Sequence, residues 1–397
     1  MQAEPIDVVA AGHICLDIIP TLTSGQTRAE DLFIPGGLVD VGPATLALGG
    51  SVANTGLALH RLGAKTRFVG KVGDDLLGKA ILESLRQYDA SFPKSMIVAV
   101  GEPTSYTIVL SPPQVDRGFL HCSGANDTFV VADLDPSTWR GARILHFGYP
   151  PLMRGIAADK GHGLATAFAD AQSSGTLVSL DMAMRATTPG LAPIDWRQWL
   201  RTVLPRVDVF LPSYEEIMPM LDPEMSPGSG AVGDANCLGK LAEELLSFGV
   251  PIVVIKLGDQ GLYLRTSDHT ANLSSREAWR EFDWQTWRNR ELLAPCFDVE
   301  VVGTTGAGDC TIAGFLKALL EGEGPEAALR HATLVGAYCV QSADATSNIP
   351  AWSEVERAML RPASMRTPTM QLRNWSFRDE WGVYAGPADM NSHICPQ

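Results

Sequence analysis

The chain has 397 residues, with 31 Lys and Arg against 45 Asp and Glu, for a formal net charge of −14. Its 45% hydrophobic content is that of a globular protein with ample core, in one large or two smaller domains. The absence of a dense basic cluster argues against nucleic acid or an anionic membrane as partner, no run approaches the roughly 20 apolar residues of a membrane span, and the seven cysteines, none in a CxxC pair, read as reduced thiols of a cytoplasmic protein.

Met1-Gln2-Ala3-Glu4-Pro5 has no basic character and no long apolar run follows, so no signal peptide is expected. Ile6 to Ala11 reads as a strand, and Asp17 is expected just past its carboxyl end, where open α/β sheets bind ligands. The plain alternative for Asp17 is a solvated loop acid. Phe33 to Leu48 reads as short strands and turns. In the segment that follows, Gly49 and Gly50 allow a ligand close to the backbone, and Ser51 is a candidate N-cap. Val52, Leu59 and Leu62 form a helical stripe that Gly63 ends. Asn54 falls in the first turn, where its amide can bond a hydroxyl; a local cap is the alternative. Thr66 to Val69 is a further strand. Gly73 to Ala80 imitates a phosphate-binding P-loop but has Ala80 where Mg²⁺ needs a hydroxyl, and Asp74 and Asp75 would repel phosphate.

Pro103–Leu110 and Gly118–Cys122 read as two strands of a small sheet. Strands then alternate with helices: Ile144–Phe147, a helix near Ala158–Ser173, Leu177–Asp181, Val207–Leu211, a helix near Leu238–Phe248, and Ile252–Leu257. Such alternation predicts an α/β fold with a doubly wound, mostly parallel sheet flanked by helices. Pro223–Asn236 reads as a flexible loop. Ser267–Pro295, with Trp279, Trp284 and Trp287, reads as an ordered surface excursion.

The segment from Val301 to Leu316 organises the rest. Val299 to Val302 is expected to be a buried strand. Gly306 and Gly308 turn the chain, and Ile312, Phe315, Leu316 and Leu319 then recur at helical spacing. A glycine loop at a helix N-terminus is an anion site. Asp309 sits inside it. An acid there makes sense if it takes a proton from a hydroxyl that attacks a phosphate; the alternative is a simple N-terminal cap. Past a short helix near Ser353–Leu360, residues 361–397 carry apolar islands without clear periodicity.

Two separated motifs together resemble the ribokinase-like (PfkB) carbohydrate and nucleoside kinases. They are Gly49-Gly50-Ser51-Val52-Ala53-Asn54, backed by Leu62-Gly63 and Val69 to Asp75, and Thr304-Thr305-Gly306-Ala307-Gly308-Asp309 with Gly314-Phe315. The resemblance covers roughly Ile6 to Ala351. It implies a kinase domain over 1–360 with a β lid drawn from 14–48, the Phe33–Val41 region included, and 103–123, followed by a C-terminal extension over 361–397. It also implies ATP-dependent phosphorylation of a hydroxyl on a sugar or sugar-like molecule. On this reading Asp309 is the base, while Gly306, Ala307 and Gly308 stabilise the transferred phosphoryl group. Asp17, Gly49, Gly50 and Asn54 hold the acceptor, and Lys256, Gly258, Thr304, Gly306 and Gly308 border the nucleotide.

Glu216 helps place Mg²⁺, although the family's usual Asn-x-x-Glu is here Ser213-Tyr214-Glu215-Glu216. Gly303 stands where the family's loop usually begins with Asp, at a contact near the substrate or a monovalent cation such as K⁺. A homodimer through the lid is the assembly the resemblance allows. The alternatives are a nucleoside kinase of the same family and a catalytically weak sugar- or nucleotide-binding regulator. Asp17 favours a neutral acceptor over a sugar phosphate, with Arg117 the one lid cation that could reverse this.

Overall fold

The structure, a computed structural model, describes residues 6–22, 32, 34–111, 118–184, 194–222, 224, 233–342, 344–361 and 363–390. Arg117, Met1–Pro5 and most of Pro223–Asn236 lie outside them. The strands, in chain order, are Val8–Gly12 (β1), Cys15–Pro20 (β2), Ala44–Gly49 (β3), Thr66–Val69 (β4), Lys71–Gly73 (β5), Ile97–Ala99 (β6), Tyr106–Leu110 (β7) and Gly118–Cys122 (β8). They continue with Ile144–Gly148 (β9), Leu177–Asp181 (β10), Val209–Phe210 (β11), Ile252–Lys256 (β12), Leu262–Thr266 (β13), Glu291–Ala294 (β14), Ser376–Arg378 (β15) and Val383–Ala385 (β16).

The large sheet of the described residues runs β15-β16-β14-β13-β12-β11-β10-β9-β1-β4. From β12 to β4 every pair is parallel; from β12 to β15 every pair is antiparallel. The parallel strands β1, β9 and β10 are buried along their whole length. Helices cover both faces, so these strands are near-continuous apolar runs. Their carboxyl ends all open on one edge.

The lid is a separate sheet, β3-β2-β7-β8. Its register sets one row, Ala47-Asp17-Thr107-His121, on one face and another, Leu46-Ile18-Ile108-Leu120, on the other. Asp17 therefore sits inside a lid strand, within the 14–48 stretch expected to supply the lid, rather than at the end of the first strand, because the chain turns at His13-Ile14 and resumes extended structure at once. The lid's third strand is β3 rather than the Phe33–Val41 region, whose described residues 34–41 form no strand.

Two further expectations change. Val299–Val302 is no strand, and Val301 and Val302 are 54% and 61% exposed. Glu300 interrupts its apolar character, and Val301 and Val302 face solvent. Its end is tied instead to the Pro325–Val340 helix, whose Val340 carbonyl accepts from the Val302 and Gly303 N–H groups. The Ser267–Pro295 stretch is no surface excursion: Trp279, Trp284 and Trp287 are buried, and β14 lies within it. Residues 363–390 wrap the domain and supply β15 and β16. They are anchored where the buried Arg290 donates to Asp389 at 2.7 Å and also pairs with Glu326. The rejected P-loop segment is an ordinary helix start, in which the Asp75 side chain caps Leu76–Tyr88 by accepting from Gly78 N–H.

Candidate active site

The glycine loop ends in Gly306 at φ 73°, and the helix Ala307–Leu320 starts there. A side chain at Gly306 would be strained and would place its Cβ 2.4 Å from Ala345 Cβ. This turn sets Asp309 in the first helical turn, 2% exposed. Its carboxylate collects donors from two other elements. Asn54 Nδ2 donates to Oδ2 at 2.9 Å and Thr55 Oγ to Oδ1 at 3.3 Å, both from the Ser51–Arg61 helix. Tyr149, just past β9, donates its phenol to both oxygens, at 2.8 and 3.0 Å. Burial raises the Asp309 pKa above the ordinary carboxylate value, and the Asn54 bond, the Lys256 charge and the Tyr149 and Thr55 bonds oppose that only in part.

Of the loop's backbone donors, the Ala307 N–H turns inward onto the Thr304 carbonyl at 3.2 Å. Beneath the loop lies Lys256, at the end of β12. Its Nζ is 3.5 Å from where a Cβ on Gly308 would be, and it donates to Asp181 Oδ1 at 2.7 Å. Both groups are largely buried. Burial alone would lower the Lys256 pKa; the Asp181 and Glu216 carboxylates outweigh it, so the ammonium keeps its charge. Positive charge beside the turn thus comes from Lys256 as well as from the helix end, and the paired Asp181 offsets part of it. The other Asp181 oxygen, Oδ2, is buried without a hydrogen-bond partner. Glu216 Oε2 accepts from the Ser213 N–H at 2.8 Å while Ser213 Oγ accepts from the Glu216 N–H at 3.3 Å, a capping box that opens the Tyr214–Leu221 helix. Gly258 begins the turn that follows β12, and Thr304 is exposed at the mouth of the loop.

The acceptor side faces the lid. The Gly49 backbone touches the Asp17 carboxyl so closely that a Cβ there would come 2.4 Å from both of its oxygens. Gly50, at φ 82°, is the N-cap of the Ser51–Arg61 helix and offers no side-chain bond; Ser51 is its first residue, not the cap expected, and its hydroxyl is buried without a partner. Cys15 Sγ donates to Asp17 Oδ1 at 3.3 Å. His121 Nδ1 lies 3.0 Å from Thr107 Oγ, and its Nε2 lies 3.4 Å from His13 Nε2. The His13 ring is 5.9 Å from the Tyr149 ring. Cys15 Sγ also lies 3.6 Å from Thr107 Oγ, so polar contacts connect Asp17 with His121 and His13, and the His13 ring in turn lies beside the Tyr149 ring.

Asp309, Gly306, Gly308, Lys256 and Asn54 come together at one end of the cleft, and Asp17, Gly49 and Gly50 form its lid side. Asn54 reaches Asp309 itself. Sequence reasoning passed over Tyr149, Thr55 and Asp181. Asp181 and Tyr149 stand at the carboxyl ends of β10 and β9, where parallel sheets bind ligands, and that position was the available signal. Thr55 carried none.

Residues 7–352 match the family model described as pfkB family carbohydrate kinase. A fructokinase of Rhizobium leguminosarum bv. trifolii is 26% identical over 385 residues, covering 96% of this chain and 98% of that protein. A 5-dehydro-2-deoxygluconokinase of Geobacillus kaustophilus is 23% identical over 371 residues, 90% and 94% of the two chains. The Arabidopsis thaliana ribokinase solved with ribose and ATP superposes with a TM-score of 0.66 at 22% identity, over 90% of this chain and all of that one. A glycine turn that buries a carboxylate above a lysine, under a small β lid, is thus carried by a chain that belongs to the pfkB family of carbohydrate kinases.

Proposed function

We propose that this sugar kinase transfers the γ-phosphoryl group of ATP to a hydroxyl of a neutral sugar or sugar acid, with Asp309 as the general base. The observation that carries the reading is the Asp309 carboxylate itself. It is buried, has a raised pKa, and is held by neutral donors directly behind an anion-binding turn. A base of this kind accepts the acceptor's proton as its oxygen attacks phosphorus. Asn54 and Thr55 fix the carboxylate, so little reorganisation accompanies the transfer. The Gly306 and Gly308 backbone and Lys256 face the charge that develops on the phosphoryl oxygens, whereas the Ala307 N–H, already bound to the Thr304 carbonyl, is not the donor expected of it. Asp17 accepts hydrogen bonds from sugar hydroxyls, and the Gly49 and Gly50 backbone lets the sugar lie close to it. The turn at Gly258 and the exposed Thr304 border the nucleotide.

The residues fit Mg²⁺ held chiefly by the nucleotide's phosphates. The unpartnered Asp181 Oδ2 and the Glu216 carboxylate can receive its water ligands. Among the described residues no group of three His, Cys, Asp or Glu side chains could hold an ion alone. Bound there, the ion neutralises phosphate charge. Glu216→Gln is expected to raise the Mg²⁺ concentration for half-maximal rate, and an unchanged titration would leave Glu216 as the helix cap alone. K⁺ near Gly303 is tested by replacing it with Na⁺.

A screen of ATP consumption over D-fructose, 2-dehydro-3-deoxygluconate, 5-dehydro-2-deoxygluconate, D-ribose, fructose 6-phosphate and adenosine tests the acceptor. Turnover with a neutral sugar or sugar acid is expected. Preference for fructose 6-phosphate, lost in Arg117→Ala, would overturn the unphosphorylated-acceptor reading; preference for adenosine would make the chain a nucleoside kinase. No turnover with any of them would leave a sugar-binding regulator.

A further inference from the structure

Tyr149 occupies a costly position. It follows Gly148 at the end of β9 with φ 66° and ψ 42°, a left-handed conformation that bulky residues rarely adopt and that costs roughly 1–2 kcal/mol. The surroundings enforce it. The Tyr149 N–H donates to the Asp181 carbonyl at 3.3 Å, its own carbonyl accepts from Leu152 N–H at 3.0 Å, and Pro150 and Pro151 follow. Strain held this firmly marks a functional site more often than an accident of packing. Its result is a phenol hydroxyl within hydrogen-bond distance of both Asp309 oxygens.

An acceptor hydroxyl must make the same contact. It is a C–O–H group that donates to Asp309 from the lid side of the cleft. The phenol also keeps its proton: burial, then the carboxylates of Asp309, Asp181 and Glu216, raise its pKa well above the ordinary value. It can donate to Asp309 but cannot replace it as a base.

We propose that Tyr149 is a positioning residue that stands in for the acceptor hydroxyl in the sugar-free enzyme, holding Asp309 and denying it to water. The inference rests on Asp309 being the general base. Without the phenol, a water molecule can take the vacant contact. Its oxygen forms a bond to the γ-phosphorus while the bond to the β,γ-bridging oxygen breaks. ADP leaves with that electron pair, the water proton passes to Asp309, and the products are ADP and phosphate. When sugar binds, its hydroxyl takes one carboxylate oxygen and the phenol retreats to the other. The half-buried setting of Tyr149, beside the His13 ring, leaves it that freedom.

The test is phosphate release by the full chain with Mg·ATP and no sugar. Tyr149→Phe keeps the ring and is expected to raise this rate about 10-fold or more, the scale of one hydrogen bond to a charged group. The gain should vanish in Tyr149→Phe/Asp309→Asn. Tyr149→Leu is the second variant should Phe pack poorly, with the same expectation. The acid limb of the sugar-free rate should also rise in pH, because a donor to the Asp309 carboxylate is lost while Lys256, Asp181, Glu216 and the buried thiols of Cys15 and Cys310 around it stay in place. A Tyr149→Phe rate at or below wild type, or a gain that survives Asp309→Asn, overturns the proposal. If Asp309→Asn alone phosphorylates the acceptor found in the screen at the wild-type rate, the base assignment fails instead, and this inference with it.

Discussion

Two sheets meet at the cleft, and they are built to opposite rules. In the large sheet, β1, β9 and β10 are buried on both faces. The carboxyl ends of β9, β10 and β12 fix the backbone of Tyr149, Asp181 and Lys256, because these strands cannot shift without opening the core. In the lid, one row, Asp17-Thr107-His121, is polar and turned to the cleft. The opposite row, Leu46-Ile18-Ile108-Leu120, ends in exposed apolar residues, Leu46 at 62% and Leu120 at 48%. One sheet holds its terminal residues in a packed core; the other leaves an apolar face uncovered. Catalysis should therefore be sensitive at the first and tolerant at the second.

The sharpest way to break that contrast is Asp309→Asn. It is expected to lower kcat by about 10²–10⁴-fold, the range for removal of a general base, with sugar affinity largely kept; near wild-type turnover would deny the large sheet its chemical role. Next comes Lys256→Met, which leaves Asp181 as a buried carboxylate without its cation. Breaking such a pair typically costs about 3–5 kcal/mol, so chemical denaturation should show the midpoint falling steeply, while an unchanged midpoint would mean that the pair is not load-carrying for the fold.

The third prediction uses pH. His146 lies in the middle of β9, fully buried, and burial followed by the nearby Lys256 charge lowers its pKa to about 3. Below about pH 6.5 the unfolded chain binds this proton and the native chain does not, so stability falls as pH drops, by about 1.4 kcal/mol per unit, until about pH 3. His146→Gln should flatten that slope in denaturant titrations at pH 4.5 and 6.5; an identical slope would place the acid sensitivity elsewhere. The smallest effect belongs to the lid. Leu46→Ser with Leu120→Ser should change stability by about 0.5 kcal/mol or less. If copies of the chain pair through this face, the same variant should shift sedimentation toward the monomer, and an unaltered sedimentation profile would remove the lid from any such assembly.

The parallel core and the two glycine motifs were readable in the sequence because both are local: apolar runs give buried strands, and Gly-rich turns before helical stripes give anion sites. β4 and β10 coincide with the runs Thr66–Val69 and Leu177–Asp181. The surroundings of Asp309 were not readable, since they depend on contacts 160 and 255 residues away in sequence, from Tyr149 and Asn54. Asp17 misled for a related reason. Position alone placed it after a strand, but the chain has only His13 and Ile14 between β1 and β2, and no local signal separates two sheets joined so tightly. The run Val299–Val302 shows the converse: β-branched residues state a preference, and here tertiary contacts to the Pro325–Val340 helix override it.

The tail's anchorage has a consequence for the order in which the molecule is made. Arg290 is 2% exposed, and its carboxylate partner Asp389 is translated 99 residues later. At about 5–20 residues per second the ribosome needs roughly 5–20 s to cover that interval. Throughout it, β14 is a bare edge that β16 will later cover, and until Glu326 is made, 36 residues after Arg290, the guanidinium beside it has neither of its carboxylate partners. The nascent protein thus keeps one flank open while the glycine loop, the two helices after it and the tail are still being made, and a chaperone that shields β14 during those seconds would act where the unfinished molecule exposes an unpaired strand edge.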